Sequence, residues 1–102
     1  MSEFVLAGKK KNFTDLVGTH VTIQGKEICV ARAGDTFYAF DDKCTHSDSR
    51  LSGGDIEDGE LSCPLHGARF SIKTGEALTL PAVKPVQTYE VKIEGENVLV
   101  KV

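Results

Sequence analysis

Short runs of alternating hydrophobic and polar residues recur along this chain, and turn residues bound most of them. The stretches 20–24 and 26–33 are rich in β-branched residues, and 36–40 follows the Ala-Gly-Asp sequence at 33–35. This pattern predicts a strand at 20–24 and a β-hairpin formed by 26–33 and 36–40. The first half of the chain is therefore predicted to be mostly β.

The C-terminal part repeats the pattern. Residues 86–95 alternate in a way that predicts a strand with Tyr89, Val91 and Ile93 facing the core. The segment 98–102 is predicted to return as the partner of that strand.

Two weaker signals lie elsewhere. Residues 68–72 and 76–80 predict another hairpin, which ends where prolines would interrupt its ladder. A short helical turn is the best interpretation of 12–18, with Thr14 as its cap and Gly18 as its stop.

The long stretch 41–67 interrupts the strand pattern. It is glycine-rich and polar, and it offers few candidates for a core. We expect a loop there that something else must order. Many short strands with frequent turns otherwise indicate small stacked antiparallel sheets or a barrel, so the predicted fold class is all-β.

Length and composition limit the possibilities. The 102 residues fit one domain, 1–102, and 40% hydrophobic with 26% charged residues is ordinary for a soluble globular protein. We find neither an apolar run of about 20 residues nor a secretory signal, which predicts a cytoplasmic protein away from membranes. The three cysteines are an odd number, which favours metal binding over a disulfide framework.

Charge is unevenly distributed. The net charge of −3 does not suggest a nucleic-acid partner. Residues 41–60 hold seven acidic side chains against Lys43 and Arg50, a local net charge of −5. This stretch is either a solvated loop or a docking surface for a basic partner, whose encounter it would accelerate.

Cysteine and histidine occur together in two short clips. Cys44-x-His46 and Cys63-x-x-His66 are separated by sixteen residues. Thiolate and imidazole suit zinc, iron or copper. A tetrahedral zinc site usually pairs like ligands within a clip, whereas each clip here mixes the two types. Mixed clips suit a two-iron cluster with two thiolates on one iron and two histidines on the other, and both alternatives stay open at this point.

The flanking residues decide between them by resemblance. CTH (44–46) with CPLHG (63–67) closely resembles the Rieske [2Fe-2S] motif, and LPAVKP (80–85) resembles the proline loop of that family. The resemblance implies the Rieske fold: small stacked antiparallel sheets with a two-loop cluster-binding subdomain. The cluster-binding loops would lie at about 41–67 and the proline loop at about 80–85, with one [2Fe-2S] cluster per chain.

The same resemblance implies the ligands. Cys44 and Cys63 would bind one iron, and His46 and His66 would bind the other through Nδ1. The residues implied to cover or surround the cluster are Pro64, Gly67 and Pro81.

Departures from the motif indicate which kind of Rieske protein this chain resembles. Rieske proteins of cytochrome complexes carry a disulfide where Ser49 and Leu65 stand here, and hydroxyl donors where Ala68 and Phe70 stand. Fewer donors to sulfur should lower the potential. We therefore expect a midpoint below 0 mV, within the family range of about −150 to +300 mV.

The chain thus resembles the soluble Rieske ferredoxins of bacterial aromatic-ring dioxygenase systems. The resemblance implies a monomeric one-electron carrier rather than an enzyme. Its partners would be a flavin-dependent ferredoxin reductase and a terminal Rieske oxygenase. The alternatives are the small Rieske-like subunit of a nitrite reductase and a structural zinc-binding module.

Three further residues receive predictions. Cys29 is expected to be a buried thiol that acts as a small hydrophobe. His20 has no second ligand clip nearby and is expected to be a surface histidine. Arg69 is expected either at the rim of a docking face or in a surface salt bridge.

Overall fold

The computed structural model describes residues 3–43, 50–64, 68–78 and 85–102, and these ranges are almost entirely β. The strands are β1 (Phe4–Lys9), β2 (Gly18–Ile23), β3 (Lys26–Ala33), β4 (Thr36–Asp41), β5 (Ile56–Glu57), β6 (Glu60–Ser62), β7 (Arg69–Ser71), β8 (Thr88–Tyr89), β9 (Val91–Glu94) and β10 (Asn97–Lys101). A 3-10 helix, Lys10–Asn12, follows β1.

Within the described ranges the strands form three antiparallel sheets. Their orders are β1-β10-β9, β2-β3-β4-β8 and β5-β6-β7. The predicted all-β class with small stacked sheets is confirmed. We call residues 50–64 and 68–78, which contain the β5-β6-β7 sheet, the cluster subdomain.

Strand β3 is buried on both faces and separates two hydrophobic cores. Ile28 and Val30 face one core, while Cys29 and Ala31 face the other, and all four are fully buried. The basal core contains Phe13, Ile23, Ile28, Val30, Phe37, Ala39, Val98 and Val100. The distal core contains Cys29, Ala31, Phe40, Leu51, Ile56, Leu61, Cys63, Ala68, Phe70, Ile72 and Val86.

The predicted hairpins form, with local differences. Residues 26–33 and 36–41 pair as β3 and β4, and β9 pairs with β10 as expected. Pairing between 68–72 and 76–78 continues through a bridge from Phe70 to Ala77. The segment 86–95 is not one strand, because β8 pairs with β4 whereas β9 pairs with β10, so the chain changes sheet at Glu90.

The short helix predicted at 12–18 was wrong. The helical turn ends earlier, at Asn12, and Gly18 begins strand β2. The Leu16 amide donates to the Arg32 carbonyl at 2.8 Å, and the Leu16 carbonyl accepts from the Ile56 amide at 2.9 Å. This backbone bonds to distant strands instead of to its own next turn, which excludes a helix.

The prediction that Tyr89, Val91 and Ile93 all face the core was partly wrong. Tyr89 and Val91 pack against the basal core, as expected. Ile93 is 37% exposed, although it pairs with the fully buried Val98 and faces the same side. Its strand lies at the edge of the three-stranded sheet, where nothing described beyond it covers the side chain.

The view of 41–67 as a loop with few core residues was also wrong. Leu51, Ile56 and Leu61 are buried in the distal core, and the last two pair across β5 and β6. Their spacing of five residues matches neither strand alternation nor a continuous apolar run, so periodicity could not reveal them. The described part of this stretch, 50–64, is therefore ordered partly by its own hydrophobic residues.

Candidate metal centre

Cys63 lies at the base of the second clip, immediately after β6. Its side chain belongs to the distal core, and the residue is 2% exposed. Its amide donates to the Ala68 carbonyl at 2.7 Å. The pairing of β6 with β7 therefore continues up to the four residues that connect Cys63 to Ala68. A buried sulfur is thus held at the root of a short connection between paired strands.

Two described residues that flank the first clip are hydrogen-bonded to each other. Asp42 follows β4, and its Oδ1 accepts a hydrogen bond from the Ser52 amide at 2.6 Å. Cys44–Ser49 lie between these residues, outside the described ranges. The chain therefore enters and leaves the first clip at two points joined by one hydrogen bond.

The segment that follows the first clip along the chain lies directly beside the residue that precedes the second clip. A Cβ on Gly54 would lie 2.1 Å from the Ser62 carbonyl oxygen and 3.0 Å from that of Leu51. The Gly54 carbonyl accepts from the Gly18 amide at 3.1 Å, which ties this segment to β2. Only glycine permits backbones to approach so closely, and the approach places 51–54 against the residue that precedes Cys63.

The described ranges contain only some of the predicted site residues. Cys63 is buried, and Pro64 beside it is exposed. Ala68 and Phe70, at the positions of the missing hydroxyl donors, are 0% and 1% exposed. The other predicted ligands and covering residues lie outside the described ranges: Cys44, His46, His66, Gly67 and Pro81.

The described residues fit an iron–sulfur group. Cys63 provides a thiol, the ligand type that such clusters require, and its neighbours in the distal core are apolar. Ala68 and Phe70 add no polar side-chain atom near it. The environment is suited to a group that needs a sulfur ligand and a dry surrounding.

A hydrogen-bonded network next to the first clip was not expected from the sequence. His20 Nδ1 lies 2.6 Å from Asp42 Oδ2, and its Nε2 lies 2.8 Å from Glu27 Oε2. The side chain of His20, which was predicted to lie on the surface, is 28% exposed, and both of its ring nitrogens have partners. His20 and Asp42 are 22 positions apart, and only the pairing of β2, β3 and β4 brings them together.

A second contact fixes the strand that follows the proline loop. The Tyr89 hydroxyl donates to Asp41 Oδ1 at 2.5 Å, and the Asp41 amide donates to the Gln87 carbonyl at 2.8 Å. Burial, then the hydrogen bond and the negative charge of Asp41, raise the pKa of Tyr89 to about 12. The phenol thus stays protonated and anchors β8 to the residue preceding Asp42.

The prediction for Cys29 is confirmed. The residue is fully buried in the distal core. Burial raises the pKa of its thiol well above the ordinary value, and the negative charge of Asp42 raises it further. Cys29 is therefore a neutral, hydrophobic side chain.

The acidic stretch presents a smaller charged surface than its sequence suggests. Asp42 is buried, and Glu60 accepts from Arg69 at 2.7 Å. The Arg69 contact confirms the predicted salt bridge. The exposed acids that remain in the described part of this stretch lie on the β5–β6 hairpin and just before it: Asp55, Glu57 and Asp58.

Comparison with known proteins identifies the family. A family model described as the Rieske [2Fe-2S] domain matches residues 3–90. The chain belongs to the Rieske [2Fe-2S] domain family. The predicted Rieske fold and the predicted [2Fe-2S] cofactor are thereby confirmed.

Curated relatives of this Rieske domain are ferredoxin components of dioxygenase systems. The naphthalene 1,2-dioxygenase ferredoxin of Pseudomonas aeruginosa is 43% identical over 86 residues, which cover 84% of this chain and 81% of the relative. The biphenyl 2,3-dioxygenase ferredoxin of Rhodococcus jostii is 47% identical over 73 residues, covering 72% and 68%.

Solved structures agree. The ferredoxin of carbazole 1,9a-dioxygenase from Nocardioides aromaticivorans has a TM-score of 0.90 at 34% identity, covering 95% of both chains. A nitrite reductase small subunit from Mycobacterium tuberculosis, described as putative, has a TM-score of 0.89 at 18% identity, covering 100% of this chain and 96% of that one. At that identity the second likeness shows the fold alone. Among the described residues, no helix is long and apolar enough to span a membrane.

Proposed function

We propose that this Rieske domain is a one-electron carrier that passes electrons from a flavin-dependent ferredoxin reductase to a terminal Rieske oxygenase. It has no substrate of its own and is not itself an enzyme. The observation that carries the proposal is the 43% identity to a naphthalene dioxygenase ferredoxin over more than four fifths of both chains. A chain 30% identical to this one belongs to a solved complex of reduced oxygenase and oxidised ferredoxin in carbazole 1,9a-dioxygenase.

The ligand set is part of the proposal. Cys44 and Cys63 would hold one iron, and His46 and His66 the other, as the Rieske motif requires. The buried position of Cys63 and the close approach of segment 51–54 to Ser62, the residue before Cys63, support this assignment. The residues proposed to enclose the cluster are Pro64, Gly67 and Pro81.

The cluster supplies one-electron chemistry when bound, and the protein controls its surroundings. Ala68 and Phe70 are buried beside the Cys63 loop and exclude water without donating a hydrogen bond from a side chain. Their apolar character favours the less negatively charged, oxidised state. A low midpoint potential, below 0 mV, therefore remains our expectation.

Electron transfer between purified components tests the proposal. The reduced chain is mixed without oxygen with the oxidised oxygenase component of a naphthalene 1,2-dioxygenase system, and reoxidation is followed by absorbance. We expect reoxidation whose rate saturates with oxygenase concentration, and reduction of the oxidised chain by the flavin reductase of that system. A chain that loads its cluster and accepts electrons from dithionite, but exchanges none with either component, would contradict the proposed role.

The alternative functions give different results. A colourless protein with one zinc would support a structural module. Permanent association with a large nitrite reductase subunit would favour the fixed-subunit alternative. The cytoplasmic location and the monomeric state stay predictions, which cell fractionation and light scattering can check.

A further inference from the structure

Asp42 is an unusual residue for the interior of this protein. Of the charged and polar residues in the described ranges it alone is buried, and its side chain is 0% exposed. Burying a carboxylate is costly unless partners compensate the lost hydration. Apolar residues of similar size often stabilise a fold as well as a buried ion pair does. A role other than stability is therefore a reasonable inference for this side chain.

Both carboxylate oxygens of Asp42 have partners on different parts of the chain. Oδ1 accepts from the Ser52 amide at 2.6 Å, and Oδ2 lies 2.6 Å from His20 Nδ1. The Asp42 amide donates to the Glu27 carbonyl at 3.0 Å. The residue thus joins β2, β3 and the segment that follows the first clip.

His20 is itself held from its other side. Its Nε2 lies 2.8 Å from Glu27 Oε2 and 3.3 Å from Thr22 Oγ1. The imidazole on β2 therefore bridges two carboxylates, Glu27 on β3 and Asp42 just after β4, and it cannot turn away from Asp42 without losing both contacts. Its side chain is 28% exposed, so the network extends from the surface to the buried carboxylate.

The position of this network in the chain suggests its role. Asp42 lies two residues before Cys44, and Ser52 lies six residues after His46. The hydrogen bond between Asp42 and Ser52 thus closes a loop that contains both proposed ligands of the first clip. Segment 51–54 also contacts Ser62, the residue that precedes Cys63. The same bond therefore connects the flank of the first clip to the residue before the second.

We propose that Asp42, oriented by His20, is a positioning residue for the cluster. It joins the residues on either side of the first ligand segment, Asp42 and Ser52, and so ties that segment's two flanks to each other and to the strand that precedes Cys63. This inference rests on the ligand set of the proposed function. It assigns the role to hydrogen-bond geometry rather than to charge.

Two substitutions separate geometry from charge. In Asp42→Asn, the amide oxygen can still accept from the Ser52 amide, and the amide nitrogen can donate to Nδ1 of a neutral His20. Asp42→Leu removes both contacts at similar volume. Val98→Ala is the control, because it truncates a fully buried side chain of the basal core and should lower thermal stability without touching this network.

The readouts are iron loss to a chelator and the electron paramagnetic resonance spectrum of the reduced protein. Loss of a partner that orients metal ligands typically weakens metal binding by about 10- to 100-fold, so Asp42→Leu should lose iron at least about tenfold faster. Its resonance lines should broaden, because the ligand geometry becomes heterogeneous. Asp42→Asn and Val98→Ala should keep the wild-type rate and line shape.

Several results would overturn the inference. Wild-type iron retention in Asp42→Leu would exclude positioning, and Asp42→Asn behaving like Asp42→Leu would assign the effect to charge. Equal acceleration by Val98→Ala at the same melting temperature would reduce it to general stability. If Asp42→Leu does not fold, His20→Ala is measured instead, and unchanged iron loss there overturns the proposal. A wild-type chain that binds no cluster would overturn the proposed function as well, whereas variants that all retain the cluster would overturn this inference alone.

Discussion

Ala68 and Phe70 are the individual side chains that we expect to lower the potential of the centre. Both are buried next to the Cys63 loop, and neither has a side-chain donor. The resemblance to Rieske proteins predicted the missing donors from the sequence, because the identity of the residue at each position is sufficient for that argument. The burial of the two side chains became known only from the structure.

A hydroxyl introduced at Ala68 should raise the midpoint potential. Ala68→Ser adds a donor that would favour the reduced, more negatively charged cluster. A hydrogen bond of about 1 kcal/mol corresponds to roughly 40 mV for a one-electron couple, so we expect an increase of tens of millivolts. Potentiometric titration measures it. Ala39→Ser in the basal core makes the same change far from the site and should have no effect. An unchanged or lower potential in Ala68→Ser would contradict the argument.

Tyr89 should make stability depend on pH at alkaline values. The folded protein raises the pKa of this phenol from 10.0 to about 12. A pKa that folding raises stabilises the protein fully below the unfolded value, and the contribution is lost as pH rises through the folded value. The stability difference between wild type and Tyr89→Phe should therefore be constant below pH 10 and shift against the wild type between pH 10 and about 12. Thermal melts of both proteins measure this, and a difference independent of pH would refute it.

The contacts of His20 with two carboxylates could not be predicted from the sequence. A lone histidine 22 positions from its carboxylate partner has no local signature. The contact depends on the register His20 to Cys29 and Cys29 to Phe40, which no pattern within a single strand determines.

At the scale of elements, a dense run of β-branched and apolar residues predicted strand bounds well, whereas the alternation over 86–95 and the sparse hydrophobic spacing of 51–61 did not. The bounds 26–33 predicted for β3 match the structure, because this strand carries a dense run of β-branched and apolar residues. Strands β5 and β6 are only two and three residues long, and their cohesion comes from Leu51, Ile56 and Leu61 in the distal core. Such short elements are defined by packing more than by local propensity.

The approach of segment 51–54 to β6 should tolerate no side chain. Gly54→Ala would place a Cβ 2.1 Å from the Ser62 carbonyl oxygen, which is backbone and cannot move independently. We expect this variant to unfold at lower denaturant concentration than Gly34→Ala. The control has a left-handed φ of 65° but no atom within 4 Å of its added Cβ, so it bears a conformational cost of about 1–2 kcal/mol only. Equal unfolding midpoints would show that the segment relaxes freely.

At the scale of the whole molecule, the two hydrophobic cores support different parts of the fold. The basal core packs the β1-β10-β9 sheet against β2, β3 and β4, whereas the distal core supports the cluster subdomain. The family resemblance predicted small stacked antiparallel sheets with a cluster-binding subdomain, whereas the strand pattern alone predicted only an all-β domain. The positions of the clips relative to the cores required the three-dimensional structure.

Charge on the cluster subdomain should affect encounter with partners. The exposed acids of the β5–β6 hairpin would attract a basic docking face, and salt screens such attraction. We expect the electron-transfer rate to the oxygenase to fall as ionic strength rises. Neutralising three acids near the site should weaken this salt dependence more than neutralising three elsewhere. The first set is Asp55, Glu57 and Asp58, and the exposed control set is Glu3, Asp35 and Glu96. A rate insensitive to salt would contradict a docking role for the hairpin.

The most direct test of the central claim is the electron paramagnetic resonance spectrum of the dithionite-reduced chain, with iron, zinc and sulfide assayed on the same sample. The account predicts a rhombic signal with the low average g value of a histidine-ligated cluster, and about two irons per chain as a [2Fe-2S] group requires. A spectrum typical of an all-cysteine cluster would contradict the proposed ligands. A silent protein containing one zinc would contradict electron transfer altogether.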